Sequence, residues 1–231
     1  MELAAPLNDS APKTFTRDFA PALLSNYLPA ALFSVLLIMK IKGFFYLLNT
    51  GNSGVEFYLS LVMRSSIVVF TAMVVFLCVV RHRPVKKAKG LWPRFTAFCG
   101  TFLIFFLLAP EAKEASLLQS GIASALSLAG IILSITALIM LGKSFSMMAE
   151  ARRLVTTGFY SFVRHPLYLA EEILLLGVII QMLSPFNVAV FILQTMFQIQ
   201  RLKNEEAVLQ ESFPEYEEYK SRTAMLIPGI Y

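Results

Sequence analysis

Two stretches in the last third of the chain hold residue types that can do chemistry. One runs Leu154-Val155-Thr156-Thr157-Gly158-Phe159-Tyr160-Ser161-Phe162-Val163-Arg164-His165-Pro166-Leu167-Tyr168, the other Gln200-Arg201-Leu202-Lys203-Asn204-Glu205-Glu206. Pro166 suits the first turn of a helix, where its missing N–H is not needed. A helix is therefore expected from Pro166, with free backbone N–H groups, Arg164 and His165 converging at its start. That is an anion-binding geometry; the alternative is that Arg164 and His165 only mark a membrane border. Arg201 can reach Glu205 at i,i+4, within a site or as a surface ion pair worth under about 1 kcal/mol. Glu171 and Glu172 follow in an apolar run. A carboxylate there costs roughly 2.5–3.5 kcal/mol at mid-depth and less near the interface. One of the two is expected to face a polar cavity, unless both snorkel outward, because successive residues cannot share one helix face.

No two of the 11 glycines are separated by a single residue, so the chain has neither a GxGxxG turn nor a P-loop. A soluble Rossmann domain is excluded, and any nucleotide-like cofactor must be held by helices and loops. Cys78 and Cys99 lie in apolar runs and read as buried free thiols. No Cys/His spacing suggests a metal.

The elements that must position these residues are membrane helices. The chain has 231 residues, 57% hydrophobic and 15% charged, with a mean hydropathy of +0.66. That is too apolar for one soluble core of this size. The fold class expected is all-α: a polytopic helical membrane protein of about six transmembrane helices, at 22–41, 57–80, 93–109, 117–141, 167–183 and 186–200. Amphipathic helices follow at the C-terminal end. Ser184-Pro185-Phe186-Asn187 reads as a tight turn between the last two spans. In the tail, Leu202, Leu209, Phe213 and Tyr216 recur at helical spacing, so it is expected to pack on the membrane face. Ser212-Phe213-Pro214-Glu215 matches a capping box that would start a helix from Phe213 to about Arg222.

Orientation follows the basic residues. The loop Arg81-His82-Arg83-Pro84-Val85-Lys86-Lys87-Ala88-Lys89, with Arg94, is expected in the cytoplasm. Alternation then places both termini and the 142–166 loop there too, with sixteen of the 20 basic residues. Lys40, Lys42, Arg64 and Lys113 fall on or near the far side; Lys40 and Lys42 can snorkel from a longer first helix. The basic runs are topology signals, and no nucleic-acid partner is expected. Residues 1–20 lack the short apolar core of a cleavable signal peptide. The chain divides into N-terminal transmembrane helices, 1–141, and a region carrying the chemistry, 142–231.

The order Gly158-x-Tyr160, Arg164-His165-Pro166-x-Tyr168, Gly177, then Arg201…Glu205-Glu206-x-x-Leu209…Phe213…Tyr216-x-x-Tyr219…Ile227-Pro228 resembles the C-terminal half of isoprenylcysteine carboxyl methyltransferases. Leu141-Gly142-Lys143-Ser144-Phe145 and Leu154-Val155-Thr156-Thr157-Gly158 are similar to bacterial and archaeal members. The resemblance covers roughly 138–231. It implies a multi-pass enzyme of the inner (cytoplasmic) membrane that uses S-adenosyl-L-methionine. The acceptor would be a lipophilic small molecule or prenylated substrate entering from the bilayer, among membrane lipids. Carried over position by position, Val155, Gly158, Tyr160, Arg164, His165, Pro166 and Tyr168 would bind the cofactor, and Arg201, Glu206 and Glu205 would be catalytic. Glu171-Glu172 departs from the eukaryotic pattern, which has apolar or aromatic residues there, and Pro214 replaces a common glycine.

Methyl transfer from a sulfonium is an in-line displacement in which positioning supplies much of the acceleration. A carboxylate acceptor needs no base, and the resemblance implies that Arg201 orients it bidentately, with Arg164 and His165 on the cofactor's carboxylate. Glu206 would pair with Arg201 or with the cofactor's amino group. An amine acceptor, as in phospholipid N-methyltransferases, would need Glu205 or Glu206 as base. Two further alternatives are a membrane NADPH-dependent reductase of the sterol type, against which Leu167 stands where Asn is expected, and a non-enzymatic membrane subunit.

Overall fold

The computed structural model describes residues 19–49, 53–107 and 115–229. Lys13, Arg17, Lys113, both chain ends and the end of the third expected span lie outside the described residues. The protein is built from α1 (Phe19–Leu48), α2 (Val55–Val80), α3 (Trp92–Leu107), α4 (Leu117–Leu141), α5 (Pro166–Gln181), α6 (Pro185–Ser212) and α7 (Tyr216–Arg222), with two short strands, β1 (Lys86–Lys87) and β2 (Glu150–Ala151). Six long helices stand where six spans were expected. Three segments, Tyr27–Leu48, Phe57–Val80 and Leu117–Ser144, are long and apolar enough to cross a membrane by length and composition. The first helix extends past the expected 22–41, so Lys40 and Lys42 are helical residues within it.

Three helix pairs make the body: α1 with α2, α3 with α6, and α4 with α5. The α4–α5 pair is closest because small residues let the backbones approach. A Cβ on Gly177 would meet the Ala123 carbonyl at 2.6 Å and the Ser127 amide at 2.7 Å. Ser116 caps α4 by accepting from the Gln119 amide at 3.2 Å, and Ser184 caps α6 by accepting from the Asn187 amide at 3.0 Å. Ser184-Pro185 is thus the tight turn that the sequence indicated. Phe33, Phe102, Leu138, Phe145, Met147 and Leu167 form the main buried cluster.

The α3–α6 pair is held differently. Asn187, Gln194, Gln198 and Arg201 fall on one buried face of α6. Gln194 Nε2 donates to the Gly100 carbonyl at 2.8 Å, Arg201 Nη1 to Thr101 Oγ1 at 3.1 Å and Asn204 Nδ2 to Thr96 Oγ1 at 3.0 Å. Side-chain hydrogen bonds between helices replace a hydrophobic drive that lipid surroundings do not supply.

At one end of the bundle the loop after α2 meets the segment after α4. Lys86 and Lys87 pair antiparallel with Ala151 and Glu150, and the His82 amide donates to the Lys143 carbonyl at 2.9 Å. Both basic segments therefore lie on the same side, as alternation requires. The tail differs from expectation at one point. α6 continues to Ser212, whose hydroxyl bonds back to the Val208 carbonyl at 2.6 Å. Ser212 is therefore the end of a helix, not a capping-box N-cap, and α7 starts at Tyr216 after Glu215, which makes no side-chain cap. Pro214 breaks the chain between them, since its ring and missing N–H stop α6 from continuing.

Candidate functional site

The segment that leads into α5 is fixed by the segment after α7. The Arg164 amide donates to the Ala224 carbonyl at 2.9 Å and the His165 amide to the Met225 carbonyl at 3.2 Å. Tyr219 Oη donates to the Tyr160 carbonyl at 2.6 Å. Pro166 is the first residue of α5, with His165 at its N-cap, as its ring geometry predicts. Gly158 sits at φ +64°, a left-handed turn in which a side chain would be strained.

Around this junction a cleft of about 610 Å³, its open mouth included, lies between residues 141–168 and helices α6 and α7. Val155, Tyr160, Arg164, His165, Tyr168 and Glu205 line it. Gly158, Pro166, Arg201 and Glu206 do not. Gly158 and Pro166 shape the backbone that carries the lining side chains. Arg201 and Glu206 are buried behind the wall.

Glu206 is the hub of that wall. Arg164 Nε donates to its Oε1 at 2.6 Å, and His165 Nε2 lies 3.3 Å from the same oxygen. Arg164 Nη1 also donates to the Lys220 and Thr223 carbonyls. Burial pushes the Glu206 carboxyl upward, but the hydrogen bonds and charges of His165 and Arg164 outweigh it and hold it at about 2. This corrects one sequence expectation: Glu206 pairs with Arg164 and His165, not with Arg201. Arg164, with its Nε and Nη1 engaged within the chain, also lines the cleft.

Arg201 does not reach Glu205. Its Nη2 donates to the Met147 carbonyl at 2.7 Å, its Nη1 to Thr101 and, at 3.4 Å, to Gln198 Oε1. Its guanidinium carbon lies 4.7 Å from the Tyr168 ring centroid, a cation–π contact. Glu205 Oε2 instead accepts from Tyr168 Oη at 2.6 Å. The i,i+4 spacing failed as a guide because Arg201 points into the α3–α6 interface and Glu205 into the cleft. Arg201 Nε is buried without a partner.

Glu171 and Glu172 neither snorkel nor divide between cavity and lipid. Glu171 accepts from Gln198 Nε2 at 3.0 Å and Glu172 from Thr195 Oγ1 at 2.8 Å. Both carboxylates reach α6 because Thr195 and Gln198, one turn apart, meet them in succession.

The opposite wall has no counterpart among the residues singled out by type and spacing. Ser146, Glu150, Arg152 and Arg153 line the cleft. Glu150 and Arg152 are almost fully enclosed and paired at 2.5 Å, with Ser146 Oγ donating to Glu150 at 3.0 Å and Lys87 Nζ 3.5 Å away. The alternation Glu150-Ala151-Arg152 is a strand signal too short to stand out, and Arg152 and Arg153 had been assigned wholly to topology. Three buried donors in the lining have no hydrogen-bond partner among the described residues: Tyr160 Oη, Tyr216 Oη and Arg152 Nε. A buried donor is costly unless a ligand or water satisfies it. The cleft therefore fits a ligand rich in acceptors, beside a carboxylate (Glu205) that can take a cationic group.

Comparison with known proteins falls on the same residues. The sequence model of the isoprenylcysteine carboxyl methyltransferase family matches residues 123–211. The protein-S-isoprenylcysteine O-methyltransferase of Saccharomyces cerevisiae is 36% identical over 96 residues, covering 38% of this chain and 40% of that one. The protein-S-isoprenylcysteine O-methyltransferase B of Arabidopsis thaliana is 32% identical over 108 residues, 44% of this chain and 55% of that one. The chain thus spans about half or less of the curated relatives it matches. A solved eukaryotic intramembrane Ras methyltransferase aligns over 90% of this chain and 96% of its own, with 19% identity and a TM-score of 0.47. The family match bears out the resemblance over 123–211, which holds the Arg164-His165-Pro166-x-Tyr168 stretch and the tail as far as Leu209.

Proposed function

We propose that the protein is an integral membrane methyltransferase that uses S-adenosyl-L-methionine to esterify the carboxylate of an isoprenylcysteine-like acceptor taken from the bilayer. The observation that carries this reading is a coincidence of place. The family match at 123–211 covers the segments that wall the cleft, and their buried unpartnered donors ask for an acceptor-rich ligand. The cofactor would supply a methyl group on a positively charged sulfur.

The chain's own residues then have distinct tasks. Tyr160 Oη and Arg152 Nε would hold acceptor atoms of the cofactor, and Glu205 its amino group. Tyr160 and Tyr168, with Val155, would pack on its apolar and cationic parts. Arg164, His165 and Glu206 form a neutralised clamp that keeps the start of α5 against the segment 223–225. Gly158 and Pro166 set that segment's backbone. Arg201, stacked on the Tyr168 ring, would orient the acceptor carboxylate with its unpartnered Nε–H and the second N–H of Nη2. An ionised carboxylate needs no base, so the work left is alignment and exclusion of water. In this reading residues 142–231 carry the chemistry, with Thr101 of α3 contributing from the N-terminal helices. The membrane is the cytoplasmic one, with the 81–91 loop and both termini on the cytoplasmic side.

The test is binding and turnover in detergent. Calorimetry should show binding of S-adenosyl-L-methionine and not NADPH, and an N-acyl-S-farnesylcysteine should be converted to its methyl ester. NADPH binding alone, or methylation of phosphatidylethanolamine in place of the thioether acid, would overturn the proposal.

A further inference from the structure

The mechanism leaves two partly buried carboxylates in the membrane part of the protein without a task, and one of them, Glu171, reaches Arg201 through a single side chain. Glu171 sits on α5 in the turn after Tyr168, and its partner is Gln198 Nε2 at 3.0 Å. Gln198 is 2% exposed, and its Oε1 faces Arg201 Nη1 at 3.4 Å. Glu171, Gln198 and Arg201 thus form a line of carboxylate, amide and guanidinium that crosses from α5 to α6. Thr101 Oγ1 takes the other donor of Nη1 from α3, and the Met147 carbonyl takes one from Nη2.

An amide can turn over and exchange its oxygen for its nitrogen at little steric cost. Turned over, Gln198 would present NH2 to a guanidinium that has no use for a donor. The carboxylate at Glu171 prevents this, because it takes the amide hydrogens and leaves the oxygen for Arg201. With Nη1 fixed on both hydrogens, the planar guanidinium cannot rotate in its plane. Its Nε–H remains the buried donor without a partner.

We infer that Glu171 is a positioning residue that acts through Gln198 to hold the Nε edge of Arg201 toward the acceptor's carboxylate. The inference rests on the proposed carboxyl methylation and deepens it. It also accounts for a carboxylate at a membrane depth where one is costly, and where the eukaryotic pattern has an apolar or aromatic residue. Glu171 does not touch the acceptor. It sets the orientation of the group that does.

The experiment compares wild type, Glu171→Gln and Glu171→Leu in detergent. It measures the Kd for N-acyl-S-farnesylcysteine and for S-adenosyl-L-methionine separately, the acceptor KM and kcat, and the Tm. Loss of one charge-assisted hydrogen bond in the line predicts an acceptor Kd and KM raised about tenfold, with cofactor Kd unchanged. Leu leaves the buried Gln198 amide without its acceptor and should lower the Tm, while weakening acceptor binding and sparing cofactor Kd. A merely structural carboxylate would move Tm and both affinities together, and that result overturns the inference. So does an acceptor Kd unchanged in both variants. If neither variant folds, Gln198→Met breaks the same line from the other side and must show the same selective loss of acceptor affinity. A wild type that neither binds nor methylates the acceptor sinks the function itself, whereas an active wild type with indifferent variants sinks the positioning role alone.

Discussion

Tyr168 donates its hydroxyl to Glu205 at 2.6 Å, across the 37 positions that separate the start of α5 from the C-terminal half of α6. The same ring carries Arg201 on its face. One side chain therefore separates a carboxylate in the cleft from a guanidinium buried behind it. Tyr168→Phe keeps the ring and the cation–π contact but frees Glu205. Cofactor Kd should rise about fivefold to tenfold, with acceptor Kd little changed, as measured by calorimetry with each ligand. An unchanged cofactor Kd would mean that the ring, and not the hydroxyl, is what matters.

Arg201→Lys should not rescue Arg201→Ala. Lysine has a point charge where the site uses a planar fork with donors to Thr101, Gln198 and Met147. Both variants should lose at least about a hundredfold in kcat/KM for the acceptor, while cofactor binding persists. Full activity in Arg201→Lys would transfer the reading to an amine acceptor with a carboxylate base.

Glu206 gives the protein an acid limit with a definite sign. Its carboxyl is held at about 2 in the fold against an ordinary 4.5, so the folded state protonates it less readily than the unfolded chain does. The stabilisation is complete above about pH 5 and is lost as the pH falls through the range from 4.5 toward 2. Tm measured from pH 7 to pH 3 should fall in wild type. In Glu206→Gln it should be lower at pH 7 and flatter with acid. A variant that follows the wild-type curve would show that the clamp contributes nothing.

Gly177 tests the α4–α5 contact without touching the site. Gly177→Val drives a side chain into Ala123 and Ser127 and should cost about 1–3 kcal/mol, read as a lowered Tm and poor recovery from membranes. Gly121→Ala, on a part of α4 with open space, should be neutral or slightly stabilising. Equal behaviour of the two would contradict the close crossing.

The pairing of β1 with β2 fixes the relation of two loops. Reporter fusions at residues 88 and 143 should read the same side of the membrane, and positive-inside bias predicts the cytoplasm. Opposite readings would break the topology.

The parts of this fold that were legible in the sequence are those governed by local rules. Pro166 and Pro185 mark helix starts because a ring that lacks an N–H is well placed in a first turn, and the apolar runs locate the helices, though α1 and α6 run on past them. Ser212 misled because its capping-box pattern is equally consistent with a helix end, and Pro214, not Ser212, decides the break. Within the site, the order of the motif residues identified the cleft, but not which partner each charge takes. Arg201 and Glu205 look like a pair at i,i+4, yet they diverge because α3 supplies Thr101, a residue a hundred positions away. Glu150 and Arg152 were invisible because their burial depends on a two-residue strand formed with Lys86 and Lys87. One signal was available and unread: the spacing of Gln194, Gln198 and Arg201 on an otherwise apolar helix marks a buried polar stripe.

The junction of residues 163–165 with 224–225 governs the order in which the protein is made. Translation delivers α5 to the membrane some sixty residues before its clamp partner leaves the ribosome, and Glu206 and Thr223 arrive in that interval. Until then Arg164 is an uncompensated cation at a helix entrance. The cleft is therefore closed only once residues 206–225 have been made, well after α5 itself.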